Sequence, residues 1–412
     1  RTLGRVREAT RSPGWMLAVA TLDQVAITMS QQGLAVLSVA FRAYARLGVA
    51  QMGLLFSTVA LGAVLGMLPA GLAADRLGPK RLAWISGAAI LLVLGSLGVA
   101  VPRHFWLLEL LLGLVGLLLP ALSLTGATAV TNRFDGSGRE GLAIGVRQAA
   151  TPLGGILAAA LFPWLVHRWS LRAVLLLIAA NVGFWTLAFA RILPPRPPRA
   201  GAPLPAPAAL GRLLRRLRDP LVVDFLLAPG QYALLTYSLL DLHDRWQVPM
   251  GEAGPLLALA LLGGFLARIG LGRVSDVHRN PVRLIALTAL AGLGGLVLWA
   301  LLPRPLALPW LMLLFLGLGA GVDGWNALLT AWTTEVTSSS QRGLALGLVG
   351  MAGFLGVVMA LPVFGGLVRV TGSYRPGWVF LAVIYGLGAL VAWRAQGRLR
   401  AEEREQVPGR AR

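Results

Sequence analysis

Arg268 stands in the stretch "GGFLARIGLGRVSD", eight residues before Asp276, which is about 12 Å along a helix. A guanidinium at that depth in apolar sequence is beyond easy reach of a membrane surface and can hold a carboxylate through two parallel N–H···O bonds. Arg268 is therefore a candidate anion contact; a structural pair with Asp323 or Asp241 is the alternative. "GLGAGVDGWNALLTAW" places Asp323 and Asn326 three apart, on one helical face, beside Trp325 and Trp332, which are placed to wall a cavity. An unpaired carboxylate there takes up a proton instead of staying charged, which suits proton coupling, unless Asp323 neutralises Arg268. Asp23, Ile27, Ser30 and Gln31 form a second stripe, and Asp224, Gln231 and Tyr232 a third. Asp23, roughly ten residues into its apolar run, is a candidate proton carrier. Asp224, only a few residues into its own, reads as the partner of an Arg near the helix end. Arg147 and Gln148 open "RQAATPLGGILAA"; an anion or gate contact competes there with snorkelling, or with pairing to Asp135 or Glu140.

These groups need a scaffold of unusual composition. Hydrophobic residues make up 56% of the 412 and charged residues 13%, against about 25% charged in a soluble domain. Apolar runs recur at 14–38, 50–70, 82–100, 105–130, 142–166, 171–190, 220–242, 253–272, 284–302, 309–332, 344–368 and 376–393. Each is long enough to cross about 30 Å of hydrocarbon as a helix, and a helix is required because lipid offers no partner for an open backbone group. The alternating pattern of a membrane β-barrel is missing. The expected fold is all-α: twelve transmembrane helices in two pseudo-symmetric bundles of six. The domains read as 1–190, a Pro/Arg-rich linker at 191–219, 220–395, and a tail at 396–412. Pro229-Gly230 is expected to break span seven, exposing backbone groups for binding.

Of 37 Arg and Lys, 26 fall in the segments on the N-terminal side of the membrane and 9 in the opposite loops. Basic residues concentrate on the cytoplasmic face, so both termini are expected inside, in a bacterial inner membrane. The net charge of +20 then follows from topology, and nucleic-acid binding is not implied. Residues 1–13 are basic and polar, with no removable signal peptide evident. In the linker, "ALGRLLRRLR" reads either as an amphipathic helix with Leu210, Leu213, Leu214 and Leu217 toward lipid or as a solvated connection. The chain has no cysteine, its four histidines are scattered near span ends, and no P-loop is present. Metal, cofactor and direct ATP drive are therefore not expected, nor is an enzyme.

The halves repeat. A shift of 201 superposes Gly53 on Gly254, Gly62 on Gly263, Gly71 on Gly272, Asp75 on Asp276 and Asp23 on Asp224. A shift of 202 superposes Gly141, Gly145 and Gly154 on Gly343, Gly347 and Gly356. Two six-span repeats place a cavity on their interface and favour alternating access.

The turn between spans two and three, "GLAADRLGPKR", carries Gly71, Asp75, Arg76, Gly78, Lys80 and Arg81. Gly71 is read as a close-packing position, Asp75 as a pair-former near a helix end, and the three basic residues as holding the turn inside. The spacing resembles the signature of the major facilitator superfamily, position for position; the second copy keeps Gly272 and Asp276 and loses the rest. The resemblance covers the whole chain and implies a secondary transporter in which this turn is a gate element. "RQAATPLGGILAA" is similar to span five of cyanate and nitroimidazole permease relatives. An Arg at this place in span eight resembles monocarboxylate and oxalate–formate type relatives, where it contacts the substrate anion.

The expected function is alternating-access transport, proton-coupled uptake of a small organic or inorganic anion, by a monomer in lipid. Arg268, Gln31, Gln231, Tyr232, Asn326 and Trp325 are the expected substrate contacts, and Asp23 and Asp323 the proton-linked groups. A drug–proton antiporter is the alternative within transport; a receptor or lipid-handling membrane protein is the alternative outside it.

Overall fold

The structure is a computed structural model and describes residues 12–134, 140–194, 207–278, 280–303, 306–338 and 341–406. Among the described residues there are fourteen helices and no strand. They are α1 (Pro13–Val36), α2 (Ser38–Ala45), α3 (Val49–Val99), α4 (Phe105–Phe134), α5 (Glu140–Arg168), α6 (Leu171–Ile192), α7 (Pro207–Arg216), α8 (Arg218–Asp244), α9 (Met250–His278), α10 (Pro281–Leu301), α11 (Leu308–Asp323), α12 (Asn326–Glu335), α13 (Arg342–Thr371) and α14 (Arg375–Gln406).

Local chemistry sets several boundaries. Ser12 caps α1, its side chain accepting from Trp15 N at 3.2 Å with Pro13 in the first turn. Asn280 and Pro281 start α10 the same way, with Arg283 N at 3.1 Å, and Ser170 caps α6. Each cap satisfies a donor the helix cannot. The helix α3 holds two spans, Val49–Ala74 and Arg76–Val99. They meet at Gly78, whose φ of 74° is a conformation an L side chain resists; Pro79 then restarts the helix.

Ten helical stretches are long and apolar enough to cross a membrane, and the bent pair α1–α2 makes an eleventh. The expected seventh span is α8, whose Asp224, Gln231 and Asp241 keep it out of that class. With α8 the spans number twelve. The breaks differ from expectation. The helix α8 runs through Pro229-Gly230 uninterrupted. Span one bends by 52° at Leu37 instead, and span ten is interrupted at Gly324-Trp325.

The chain forms two compact units, 1–204 with 235–258, and 205–234 with 259–412. In the first, α1 packs on α5 and α6, and α3 on α4 and α6. Gly62 and Gly116 lie against the backbones of α4 and α3, the close approach that membrane helices use in place of a hydrophobic driving force. Ser38 Oγ donates to Thr236 O at 3.0 Å, and Arg42 pairs with Asp244. In the second, α10 packs on α14 and α11, and Gly263, Gly319 and Gly356 meet the backbones of α11, α9 and α8. Leu213 and Leu217 are buried in protein (2% and 0% exposed) rather than turned to lipid, with Leu214 at 39%.

Candidate functional site

The span-ten break makes the site in the second unit. Where α11 ends at Asp323, its last carbonyls lose their helical partners and the helix dipole turns negative. Arg268 fills this place from α9. Its Nη2 donates to Asp323 Oδ1 at 2.7 Å and its Nε to the Asp323 carbonyl at 3.1 Å. Gly264, one turn earlier on α9, leaves room for the carboxylate: a Cβ there would stand 2.6 Å from Asp323 Cβ and 2.7 Å from Oδ2. The pair is lopsided. Asp323 is enclosed, its side chain 10% exposed, whereas the Arg268 side chain keeps 23% open. Asp241 is not the partner; it faces Arg245 at 3.0 Å.

Around the pair, Trp325 is fully buried and its Nε1 donates to Val322 O at 2.7 Å. It belongs to the packing at the break, as does Trp332, 3% exposed. Asn326 opens α12, half-buried; Gly324 and Trp325 keep helical φ and ψ, so Asp323 and Asn326 stay three apart along a helical path through the break. Gln231 Nε2 is buried with no hydrogen-bond partner among the described residues, and the Tyr232 ring lies 5.7 Å from that of Phe354. Tyr385 Oη sits 2.8 Å from both Leu227 O and Val322 O, tying α8 to the end of α11; Gly230 and Gly292 give its ring space.

The first unit holds a different cluster. Arg147 is 5% exposed, so it does not snorkel. Its Nη2 donates to Gln24 Oε1 at 2.5 Å and to Ser123 O at 2.7 Å, and Nε is buried without a partner. The side chains of Asp135, Glu140 and Gln148 lie outside the described residues. Asp23, 1% exposed, accepts from Thr186 Oγ1 at 2.7 Å and has no ion pair among the described residues. Gln31 is half-buried on the same helix. Glu109, passed over in the sequence, accepts from Thr58 Oγ1 at 2.6 Å while its Oε2 is buried without a partner; its place four residues into span four was the available signal.

At the turn, Lys80 Nζ donates to Leu193 O at 2.8 Å, capping the end of α6 as a cation suits a helix C-terminus. Arg76 and Arg81 are exposed. A Cβ on Gly71 or on Gly272 would meet nothing within 4 Å, so neither serves the close packing expected of Gly71; Gly78 is required by its φ instead. The side chains of Asp75 and Asp276 lie outside the described residues.

Among the described residues an all-helical arrangement of repeated apolar spans, with the Arg268–Asp323 pair enclosed between helices and a positive-φ glycine at a basic turn, defines a multi-pass membrane protein. The profile of the Major Facilitator Superfamily matches residues 24–330, and the chain belongs to that family, whose members here are transporters and not enzymes. It is 30% identical over 343 residues to an MFS-type transporter of Mycobacterium tuberculosis (strain CDC 1551 / Oshkosh), covering 80% of this chain and 74% of the relative. Monocarboxylate transporter 13 of Bos taurus is 28% identical over 327 residues, 77% of this chain and 74% of that one. The cyanate transport protein CynX of Escherichia coli (strain K12) is 30% identical over 262 residues, 60% and 62%. Among solved structures, nucleoside transporter NupG shares the fold with a TM-score of 0.76 at 16% identity, over 92% of this chain and 99% of that one.

Proposed function

We propose that this transporter takes up a small organic or inorganic anion together with protons, and that Arg268 is the group that binds the anion. The carrying observation is the lopsided pair. A guanidinium deep in a span, held by one carboxylate and one helix-end carbonyl, keeps part of its surface open, so an incoming carboxylate can take the place of Asp323 once Asp323 is neutralised by a proton. The names of two relatives, a monocarboxylate transporter and a cyanate transport protein, agree with an anionic substrate. Protonation of Asp323 would release Arg268 to the anion, which links proton and substrate. Asp23 is the proton-linked acid of the first unit. Gln231, Tyr232 and Asn326, in the same unit as Arg268, supply further polar contacts. The charge asymmetry of the loops supports cytoplasmic termini in a bacterial inner membrane.

The test uses purified protein with lactate, formate, cyanate and nitrate as probes, and a hydrophobic cation as control. Binding is read as a thermal shift, since a ligand stabilises the folded state by mass action. At least one anion stabilises the unmodified protein; Arg268→Gln abolishes that shift while the protein stays folded, and Arg268→Lys, which keeps charge but loses the planar fork, weakens it at least tenfold. An anion that binds Arg268→Gln as tightly as the unmodified protein overturns the reading.

A further inference from the structure

Asp224 has no expected Arg partner. It is 8% exposed, and among the described residues no group donates a hydrogen bond to it and no cation pairs with it. The other two mid-span acids are both satisfied, Asp23 by Thr186 and Asp323 by Arg268.

The internal repeat explains how Asp224 lost its partners. In the first unit Leu91 fills the space at Gly183, and Thr186 lies on Gly87. In the second unit Tyr385 fills the space at Gly292. Gly183 therefore corresponds to Tyr385 and Leu91 to Gly292, the shifts of 202 and 201 seen in the sequence. By the same shifts Asp23 corresponds to Asp224, its donor Thr186 to Gly388, its neighbour Gln24 to Phe225, and the cation Arg147 to Val349. Gly388 rests on Leu226 and Leu227, next to Asp224 in the chain, and offers no hydroxyl. The acid has been kept while every polar partner has been replaced by an apolar residue or glycine. Gly353 of α13 makes the pocket for the carboxylate: a Cβ there would stand 2.7 Å from Oδ2 and 3.0 Å from Oδ1.

A carboxylate in such a place is satisfied by the smallest of ligands. We propose that Asp224 is a proton-binding site of the transporter, loaded and unloaded during the cycle. No cavity is needed, and among the described residues no cluster of three or more His, Cys, Asp or Glu side chains is present to hold a metal cation. The titratable groups near it are Tyr232 on its own helix and Tyr385 on α14, both of which also lie near Asp323 on α11, engaged with Arg268; from α13 it is Gly353 that lies against the carboxylate. The proposal deepens the proton-coupled reading above and rests on it for its role in transport, although not for the proton site itself.

Two measurements separate these. Difference infrared spectra of the full-length protein in nanodiscs, recorded against bath pH, should show a carboxylic-acid C=O band of a dry site that responds to 13C-labelled aspartate. Asp224→Asn loses one component of that band, a component that Asp23→Asn and Asp323→Asn both keep. In proteoliposomes carrying labelled lactate or cyanate, Asp224→Asn keeps counterflow within about twofold and loses accumulation driven by a pH gradient. A spectrum that loses no component in Asp224→Asn, or no pH-dependent band in the unmodified protein, overturns the proton site. Should Asp224→Asn fail to fold, loss of the band in Asp23→Asn or Asp323→Asn overturns it and its retention in both supports it. If no anion is carried by the unmodified protein, the anion reading fails and the infrared result still decides Asp224.

Discussion

Replacing Gly264 by alanine tests the geometry that fixes Arg268. The added methyl would stand 2.6 Å from Asp323 Cβ and 2.7 Å from its Oδ2, against an ordinary contact of about 3.4 Å or more. Asp323 must therefore retreat by about 0.8 Å, and because the obstruction includes its Cβ, the end of α11 must move with it. A retreat of that size along the 2.7 Å bond to Arg268 takes it to about 3.5 Å, past the range of a hydrogen bond. Overpacking of this kind costs about 1–3 kcal/mol, roughly 5- to 150-fold in the ratio of folded to unfolded protein. Gly270 on the same helix is the control: a Cβ there meets nothing within 4 Å. Gly270→Ala gains the helix propensity of alanine, at most about 1 kcal/mol, and meets no obstruction. Titration of both variants with SDS in mixed micelles should give shifts of opposite sign. If Gly264→Ala unfolds at the same or a higher SDS fraction than Gly270→Ala, the close approach of α9 to Asp323 is wrong, and with it the account of how Arg268 is positioned.

Two further predictions concern other parts of the fold. Tyr385→Phe removes the hydroxyl between Leu227 O and Val322 O and should lower stability by about 1 kcal/mol in the same titration; an unchanged midpoint would show that the bridge has no energetic weight. Asp75→Asn at the signature turn should slow transport at least tenfold while leaving binding of the lactate or cyanate probe within about twofold, because losing a gate interaction shifts the conformational balance; normal flux with lost binding would contradict that role.

The spans, the internal repeat and the depth of Arg268 were legible because each depends only on local composition and helical rise. What depended on packing was not. A glycine in the sequence does not reveal which way its missing side chain points: Gly71 faces open space, whereas Gly264 and Gly353, which nothing in the sequence singled out, make room for Asp323 and Asp224. Proline in a helix leaves the carbonyl four residues earlier without its donor, yet Pro229 does not break α8. Gly356 packs on the Phe225 carbonyl left free, and Gly230 admits the Tyr385 ring. Arg147 read as a surface group because it lies near the start of its span; only the packing of α1 beside α5 brings Gln24 to it. Asp224 read as an ion-pair member for the same reason of position, and its lack of a partner became visible only when residues on α13 and α14 were in place.

The low apolar content of α8 has a consequence for how the protein is made. Charged residues oppose entry into lipid, by about 2.5–3.5 kcal/mol each at a helix centre and less toward its ends, and this helix carries Asp224 and Asp241 near its two ends as well as Gln231 and Pro229. Among the described spans it is the least suited by composition to enter the bilayer without help from its neighbours. The helices that follow, α9 and α10, are apolar and end only at Leu301. At a synthesis rate of about 5–20 residues per second, α8 must wait several seconds at the insertion machinery until they emerge. Biogenesis of the second repeat thus begins with a helix whose place is secured by segments not yet translated, and a ribosome stalled before Leu301 would leave it exposed to the membrane's quality control.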